Sequence, residues 1–412
     1  MSSLAGVKVL DLSRVFSGPW AAQMLADFGA DVIKVERPGR GDDVRHQGLR
    51  ARGEDGREEG ETSSFMSMNR GKRSVAIDLS RPAGQALARG LAMRSDILIE
   101  NFKAGDLARY GLDYTALAAL NPRLVYCSIS GFGQTGPYRH LPGYDPLFQS
   151  MSGLMSITGH ADGEPGGGPL RVGYSVGDIT AGFYAVSAIL AALRHRDAVS
   201  GQGQHIDLAL LDAQVASISH VAMMYLVSGQ QPARLGNVSP ITCPWQSFDC
   251  ADGQIVVAVG NDTQFAAMCD VLELPGLPGD PRYATNPMRA RHRLELVPLL
   301  ERAIARHPVA RLRAAFDAAG VPCGPINDFE QVFDDPQIRH REMLLSMPAG
   351  AGRTIPQVAN PVRFSGTPVE YRRAPPALGE HTDEVLREVL GLDAAELEDL
   401  RRDRIIQATP AP

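Results

Sequence analysis

Two side chains able to attack an acyl carbon stand three positions apart in Gly173-Tyr174-Ser175-Val176-Gly177-Asp178. Ser175 completes a literal G-x-S-x-G, the pattern of an elbow in which a strand, a sharp turn and a helix present the serine hydroxyl to a base. His381 lies downstream as a candidate base. Such an elbow needs a firm strand before it, and Gly163-Glu164-Pro165-Gly166-Gly167-Gly168-Pro169 leaves only Leu170, Arg171 and Val172 to form one. Asp178 precedes a long apolar stretch, a place where aspartate commonly caps a helix. The same place suits chemistry, because a helix N-terminus favours the ionised carboxylate and an ionised carboxylate can attack a thioester. The cap and the nucleophile are compatible readings of one residue.

Other chemistries find little support. The turn after the first apolar run is Ser13-Arg14-Val15-Phe16-Ser17-Gly18-Pro19, not G-x-G-x-x-G, and no G-x-x-x-x-G-K-[ST] occurs, so neither a dinucleotide nor a P-loop site is indicated. The ten histidines show no H-x-x-x-H spacing, and Cys127, Cys243, Cys250, Cys269 and Cys323 form no C-x-x-C pair. No metal site and no disulfide framework is expected, and the cysteines read as free thiols. A net charge of −6 argues against nucleic acid, whose affinity comes from clustered cations. The apolar stretch Ala181 to Leu193 is shorter than a membrane span, and the first residues lack a secretory pattern. A cytoplasmic protein is expected.

The elements that must position these residues alternate at the start. Strands are expected at Val7 to Leu12, Asp31 to Glu36, Ser74 to Leu79, Asp96 to Glu100 and Leu124 to Ser130, with a helix over Trp20 to Phe28 stopped by Gly29. Another helix is expected between Ser80 and Ser95, with Ser80 as N-cap and Pro82 in its first turn. Residues 38–64, rich in Gly, Arg, Glu and Asp, read as a long surface loop. From Gly177 onward Phe183, Val186, Ile189, Leu190 and Leu193 recur at helical spacing in a largely apolar stretch, the mark of a buried helix. A second long helix is expected over Leu208 to Leu226. The composition changes near Ser228-Gly229-Gln230-Gln231-Pro232. A smaller α+β unit follows, with a strand at Ile255 to Val259 and helices at Thr263 to Leu272, Arg293 to Arg306 and Val309 to Ala318. Two helices, Thr382 to Leu390 and Ala394 to Arg404, close the chain. The fold class is α/β: a Rossmann-like large domain with a parallel sheet over 1–227, completed by 329–412, and a small α+β domain over 228–328.

Six separated motifs carry a family resemblance. They are Leu10-Asp11-Leu12-Ser13-Arg14-Val15-Phe16-Ser17-Gly18-Pro19, Gly29-Ala30-Asp31-Val32-Ile33-Lys34-Val35-Glu36, Asn69-Arg70-Gly71-Lys72-Arg73-Ser74, Glu100-Asn101-Phe102, Gly177-Asp178 and Leu378-Gly379-Glu380-His381-Thr382-Asp383. In this order they resemble the family III coenzyme A transferases, the CaiB/BaiF group that includes formyl-CoA and carnitine CoA-transferases.

The resemblance implies that Asp178 is the catalytic nucleophile, passing through a mixed anhydride and an enzyme-CoA thioester, with CoA and acyl-CoA as substrates and no permanently bound cofactor. It implies that Val15, Arg37, Lys72, Asn101, Phe102 and Arg109 line the CoA site, and that Phe16, Ser17 and Tyr144 face the acyl group. Phe16 departs from the glutamine of formyl-CoA transferase. Val259-Gly260-Asn261-Asp262 is at most a remote substitute for the glycine-rich loop of some members. Ring-shaped subunits interlocked in a homodimer are also implied.

Arg14 and Arg171 suit a dicarboxylate, with succinyl-CoA as a candidate donor. The rival readings are a 2-methylacyl-CoA racemase, whose histidine would fall at Tyr144, a serine hydrolase using Ser175, and a CoA-binding protein without catalysis. A tyrosine is a poor base at neutral pH, which counts against the racemase.

Overall fold

A computed structural model describes residues 2–52, 58–349 and 354–408. Parallel strands covered on both faces must be apolar nearly throughout, and the first half of the chain supplies such runs. β1 (Lys8–Asp11), α1 (Ser17–Asp27), β2 (Asp31–Glu36), β3 (Lys72–Ile77), α2 (Pro82–Ala92), β4 (Ile97–Glu100) and β5 (Val125–Ser130) follow one another. A short helix α3 (Asp145–Met151) leads to the long α4 (Val176–His195), strand β6 (His205–Ala209) and the pair α5 (Leu210–Ser217) and α6 (Ser219–Ser228). The stretch expected as one helix over Leu208 to Leu226 is thus a strand end and two helices, bent by 71° where they meet.

By contact, the chain divides into two compact units, Met1–Met155 with Arg171–Gln230 and Arg339–Pro412, and Ser156–Leu170 with Gln231–Ile338. Ser156–Leu170, expected in the large domain, belongs to the second unit. That unit is built on the antiparallel strands β7 (Trp245–Asp249), β8 (Gln254–Ala258) and β9 (Cys323–Pro325), with β8 central. Its helices α7 (Asp262–Val271), α8 (Arg293–Ile304) and α9 (Val309–Ala318) share a core around Phe265, Leu296, Leu300 and Phe316. The Val259–Asp262 segment caps α7, with the Asn261 side chain accepting from Gln264 N.

The chain then returns to the first unit with α10 (Thr382–Leu390), α11 (Ala394–Arg402) and β10 (Ile406–Gln407). The central sheet has seven strands in the order β10-β3-β2-β1-β4-β5-β6, parallel except for β10. Alternate residues serve opposite faces. Val9, Val32, Ile97 and Val125 meet α1 and α4 through Leu25, Ala185 and Ile189. Leu10, Ile33, Val75 and Leu98 meet α2 and the closing helices through Leu91, Leu386 and Leu397.

Two local expectations change. The N-cap of α2 is Arg81 without a side-chain bond, and the Ser80 hydroxyl donates instead to Asp78 at 2.6 Å. Residues 38–64 are more than a surface loop: a 3-10 turn at Asp43–His46 buries Asp42, Val44 and Arg45, and a helical turn spans Ser63–Met66. Residues 53–57 of that expected loop lie outside the described residues.

Candidate functional site

The strand order places β1 and β4 side by side although their connections leave in opposite directions. Such a switch point opens a crevice at the strands' carboxyl ends, where α/β sheets bind ligands. Here the crevice has two adjoining cavities. One, of about 270 Å³, is lined by Val15, Ser17, Asn101, Tyr144 and Asp178; the other, of about 300 Å³, by Glu36, Arg37, Asp78, Leu79, Ser80 and Tyr110. Arg14 and Phe102 line both, with the guanidinium 5.1 Å from the ring centroid.

Asp178 reaches this cleft from the first turn of α4, as the third residue of the helix. It is not the N-cap: that position is Ser175, whose side chain makes no capping bond. The cap comes from another helix. Asp145, at the start of α3, accepts from Gly177 N at 2.7 Å and Asp178 N at 3.3 Å. A Cβ at residue 177 would lie 2.9 Å from Asp145 Oδ1 and 3.1 Å from Gln214 Oε1, so the glycine before Asp178 makes room for the capping carboxylate.

The electrostatic consequence reverses the sequence expectation. Burial, with the Asp145 charge added, pushes Asp178 up from 3.8 to about 7, and the nearby Ser17 side chain opposes the rise. Desolvation therefore outweighs the helix dipole. At neutral pH the carboxylate is partly ionised and its charge is costly. Acylation removes that charge, so the environment that raises the pKa also favours bond formation to carbon.

The expected site residues separate into three groups. Val15, Ser17, Asn101, Phe102, Tyr144 and Asp178 meet at the first cavity, and Arg37 lines the second. Phe16 and Arg109 line neither: Phe16 is the N-cap residue of α1, and Arg109 is exposed beside Asp106 and Tyr110. Arg171 also stays outside both.

Lys72 is a correction. Its side chain is fully buried and its amine donates to Asp11 Oδ2, Pro19 O and Asn69 Oδ1 at 2.8–2.9 Å. All three donors are used inside the protein, so none remains for a phosphate. Burial, with Lys34 adding to it, pulls Lys72 down to about 8 against the opposing Asp11.

The elbow reading also loses its footing. Residues 171–175 form no strand, and His381 caps α10, its backbone N–H bonded to Ser74 O. No histidine lines either cavity, which leaves the racemase reading without its base. Sequence reasoning missed Asp145, Lys103 and Arg139 among the groups that shape the first cavity. The signal for Asp145 was its place in Gly143-Tyr144-Asp145 ahead of an apolar helical run.

Comparison with known proteins bears on this geometry. A family model described as CoA-transferase family III matches residues 4–382. The succinate–glutarate CoA-transferase of Agrobacterium fabrum is 48% identical over 387 residues, 94% of this chain and 95% of that one. The human succinyl-CoA:glutarate CoA-transferase is 40% identical, over 95% of this chain and 86% of its own. Among solved structures, a CaiB/BaiF family protein from Brucella suis superposes with a TM-score of 0.83 at 42% identity, over 94% of this chain and 99% of that one.

Proposed function

Since the chain belongs to CoA-transferase family III, we propose that it moves coenzyme A from succinyl-CoA to glutarate or a dicarboxylate of similar length, with Asp178 as the covalent relay. The carrying observation is the Asp178 carboxylate itself, at the cleft and pushed up to about 7 by burial and Asp145.

In the first step an Asp178 oxygen attacks the succinyl thioester carbon. The C–S bond breaks, the CoA thiolate leaves with its electron pair, and a mixed anhydride joins Asp178 to the succinyl group. The thiolate then attacks the Asp178 carbonyl carbon, releasing succinate and leaving CoA as a thioester of Asp178. The acceptor carboxylate attacks that carbon, expels the thiolate and forms a second anhydride. Attack of the thiolate on the acceptor's acyl carbon yields the new acyl-CoA and restores Asp178. Thioester and anhydride are both activated acyl groups, so covalent catalysis proceeds without ATP.

Arg37, Leu79 and Ser80 in the second cavity suit the nucleotide end of CoA, and the pantetheine arm would pass Phe102 toward Asp178. Arg14, Lys103 and Arg139 line the acyl cavity, and cations there suit the second carboxylate of succinate and glutarate. Five free thiols and CoA-linked substrates support a cytoplasmic setting. A homodimer is supported by the apolar side chains exposed on α4 and α6, among them Phe183, Tyr184, Met223, Leu226 and Val227.

Succinyl-CoA incubation followed by hydroxylamine trapping and peptide mass analysis tests the relay. A hydroxamate on Asp178, absent from Asp178→Ala, is expected, together with loss of turnover and persistence of CoA binding in that variant. Modification at Ser175, or equal turnover in Asp178→Ala, overturns the mechanism. A donor and acceptor panel tests the substrates, with succinyl-CoA and glutarate expected to rank first.

A further inference from the structure

The chain enters α4 through Arg171-Val172-Gly173-Tyr174-Ser175, a segment that forms no strand and leaves Arg171, Gly173 and Tyr174 exposed. Such a segment cannot by itself fix where the helix begins. A side chain of α3 reaches it. The Gln149 amide oxygen accepts from the Val172 N–H at 2.8 Å, and its nitrogen donates to Tyr174 O at 3.3 Å and to Asp145 Oδ2 at 2.5 Å. One donor on the oxygen side and two acceptors on the nitrogen side decide which way the amide faces, and both of its N–H bonds are used. Gln149 has no exposure and lines neither cavity.

Asp145 carries the link onward to the nucleophile. Its Oδ1 accepts from Gly177 N at 2.7 Å and Asp178 N at 3.3 Å, while its Oδ2 is held by Gln149. The hydrogen bonds thus run without a gap from Gln149 through one carboxylate to the backbone of Asp178. The three donors are uncharged and the carboxylate is 5% exposed, so losing one of them leaves a buried acceptor poorly satisfied. The base of this chain is firm. Phe148, beside Gln149 on α3, is fully buried in the core that α1 and α4 share. Its ring sits where a Cβ on Gly143 would stand, 2.1 Å from Cζ.

We propose that Gln149 is a positioning residue for acyl transfer, holding the Asp145 carboxylate on the first turn of α4 so that Asp178 enters the cleft at a fixed place. The proposal rests on Asp178 being the relay. Gln149 acts through Asp145 and touches no substrate. Its bonds to Val172 and Tyr174 aim the amide N–H at Asp145. Without that grip the cap shifts, the first turn loosens, and the carboxylate no longer meets the thioester carbon in the attacking geometry.

The test is the rate of adduct formation on Asp178 at saturating succinyl-CoA, followed by intact mass at a pH where Asp178 is ionised, together with calorimetric CoA affinity. Wild type, Gln149→Met, Asp145→Ala and the double variant are compared. In Gln149→Met the rate should fall by about ten- to a hundred-fold, with CoA affinity unchanged because the residue lines neither cavity. The double variant should match Asp145→Ala within about twofold, because both changes break one link. A wild type that forms no adduct overturns this proposal together with the relay mechanism. A wild type that reacts beside a folded Gln149→Met of equal rate overturns this proposal alone. So does a CoA affinity that weakens as far as the rate falls, or a Gln149→Met penalty that persists in full on the Asp145→Ala background. Should Gln149→Met not fold, Gln149→Asn keeps an amide but shortens its reach to Asp145: a slower adduct with CoA affinity kept supports the proposal, and an unchanged rate overturns it.

Discussion

At Asp178 the cost of a buried charge and the need for a nucleophile meet in one side chain. Folded, it holds its proton to about pH 7, whereas an ordinary aspartate releases it near 3.8. Between those values the folded state binds the extra proton, so the contribution of Asp178 to stability is complete below the lower value and is lost as pH rises through the upper one. Asp178→Asn has no charge to bury. It should therefore unfold at a higher temperature than wild type at about pH 8, by on the order of 2 kcal/mol, and match wild type near about pH 4. Thermal unfolding without CoA across that range checks this, and a gap that does not change with pH would contradict it. Catalysis runs the other way: kcat/KM should fall as pH drops through about 7, because the protonated carboxyl cannot attack.

Among the elements, α4 depends on α3 for its cap, and that dependence sets the nucleophile's charge. Asp145→Asn keeps an oxygen for Gly177 N but removes the like charge that adds to burial at Asp178. Its acid limb of kcat/KM should move down, by roughly half a unit to one unit, and a limb that stays or rises would count against the assigned electrostatics. Gly177→Ala should act more harshly, since its Cβ would press on both Asp145 and Gln214. A loss of about 1–3 kcal/mol is expected on urea unfolding, from a displaced cap and an unsatisfied first turn. None of this pairing is legible in sequence, where residues 145 and 177 are merely an aspartate before a proline and a glycine before an aspartate. The apolar runs of β2, β4 and β5 and the helical periods of α9 and α10 were legible, because local pattern decides them. β6 was not, since His205–Ala209 runs into the apolar start of α5 and its alternation is lost in that run. Lys72 read as a cation lining the CoA site because Asp11, the carboxylate it pairs with, is distant in sequence. Asp178 itself was legible through its motif, but its raised pKa comes from tertiary packing.

On the scale of the whole molecule, the helix that carries the nucleophile also presents apolar surface to the outside. Val176–Ser200 is long and apolar enough to cross a membrane, with a mean hydropathy of 1.6. Its buried face, Ala181, Ala185, Ile189 and Ala192, packs on the sheet, and its N-terminus builds the cleft, so the length and apolarity serve a core helix. The outer face is another matter. Phe183 and Tyr184 remain exposed there, and α6 adds Met223, Leu226 at 69% exposure and Val227 at 81%. Aromatic and methionine side chains of this kind are enriched in protein interfaces. A second copy of the chain is the proposed cover. Placing a charge in that cover would leave it buried and unpaired in the dimer but solvated in the monomer. Leu226→Asp should therefore weaken the dimer by about 30-fold or more while leaving the subunit fold unchanged. Sedimentation of wild type and variant over a concentration series checks this: a monomeric wild type would remove the dimer, and an equally tight variant would move the interface away from α6.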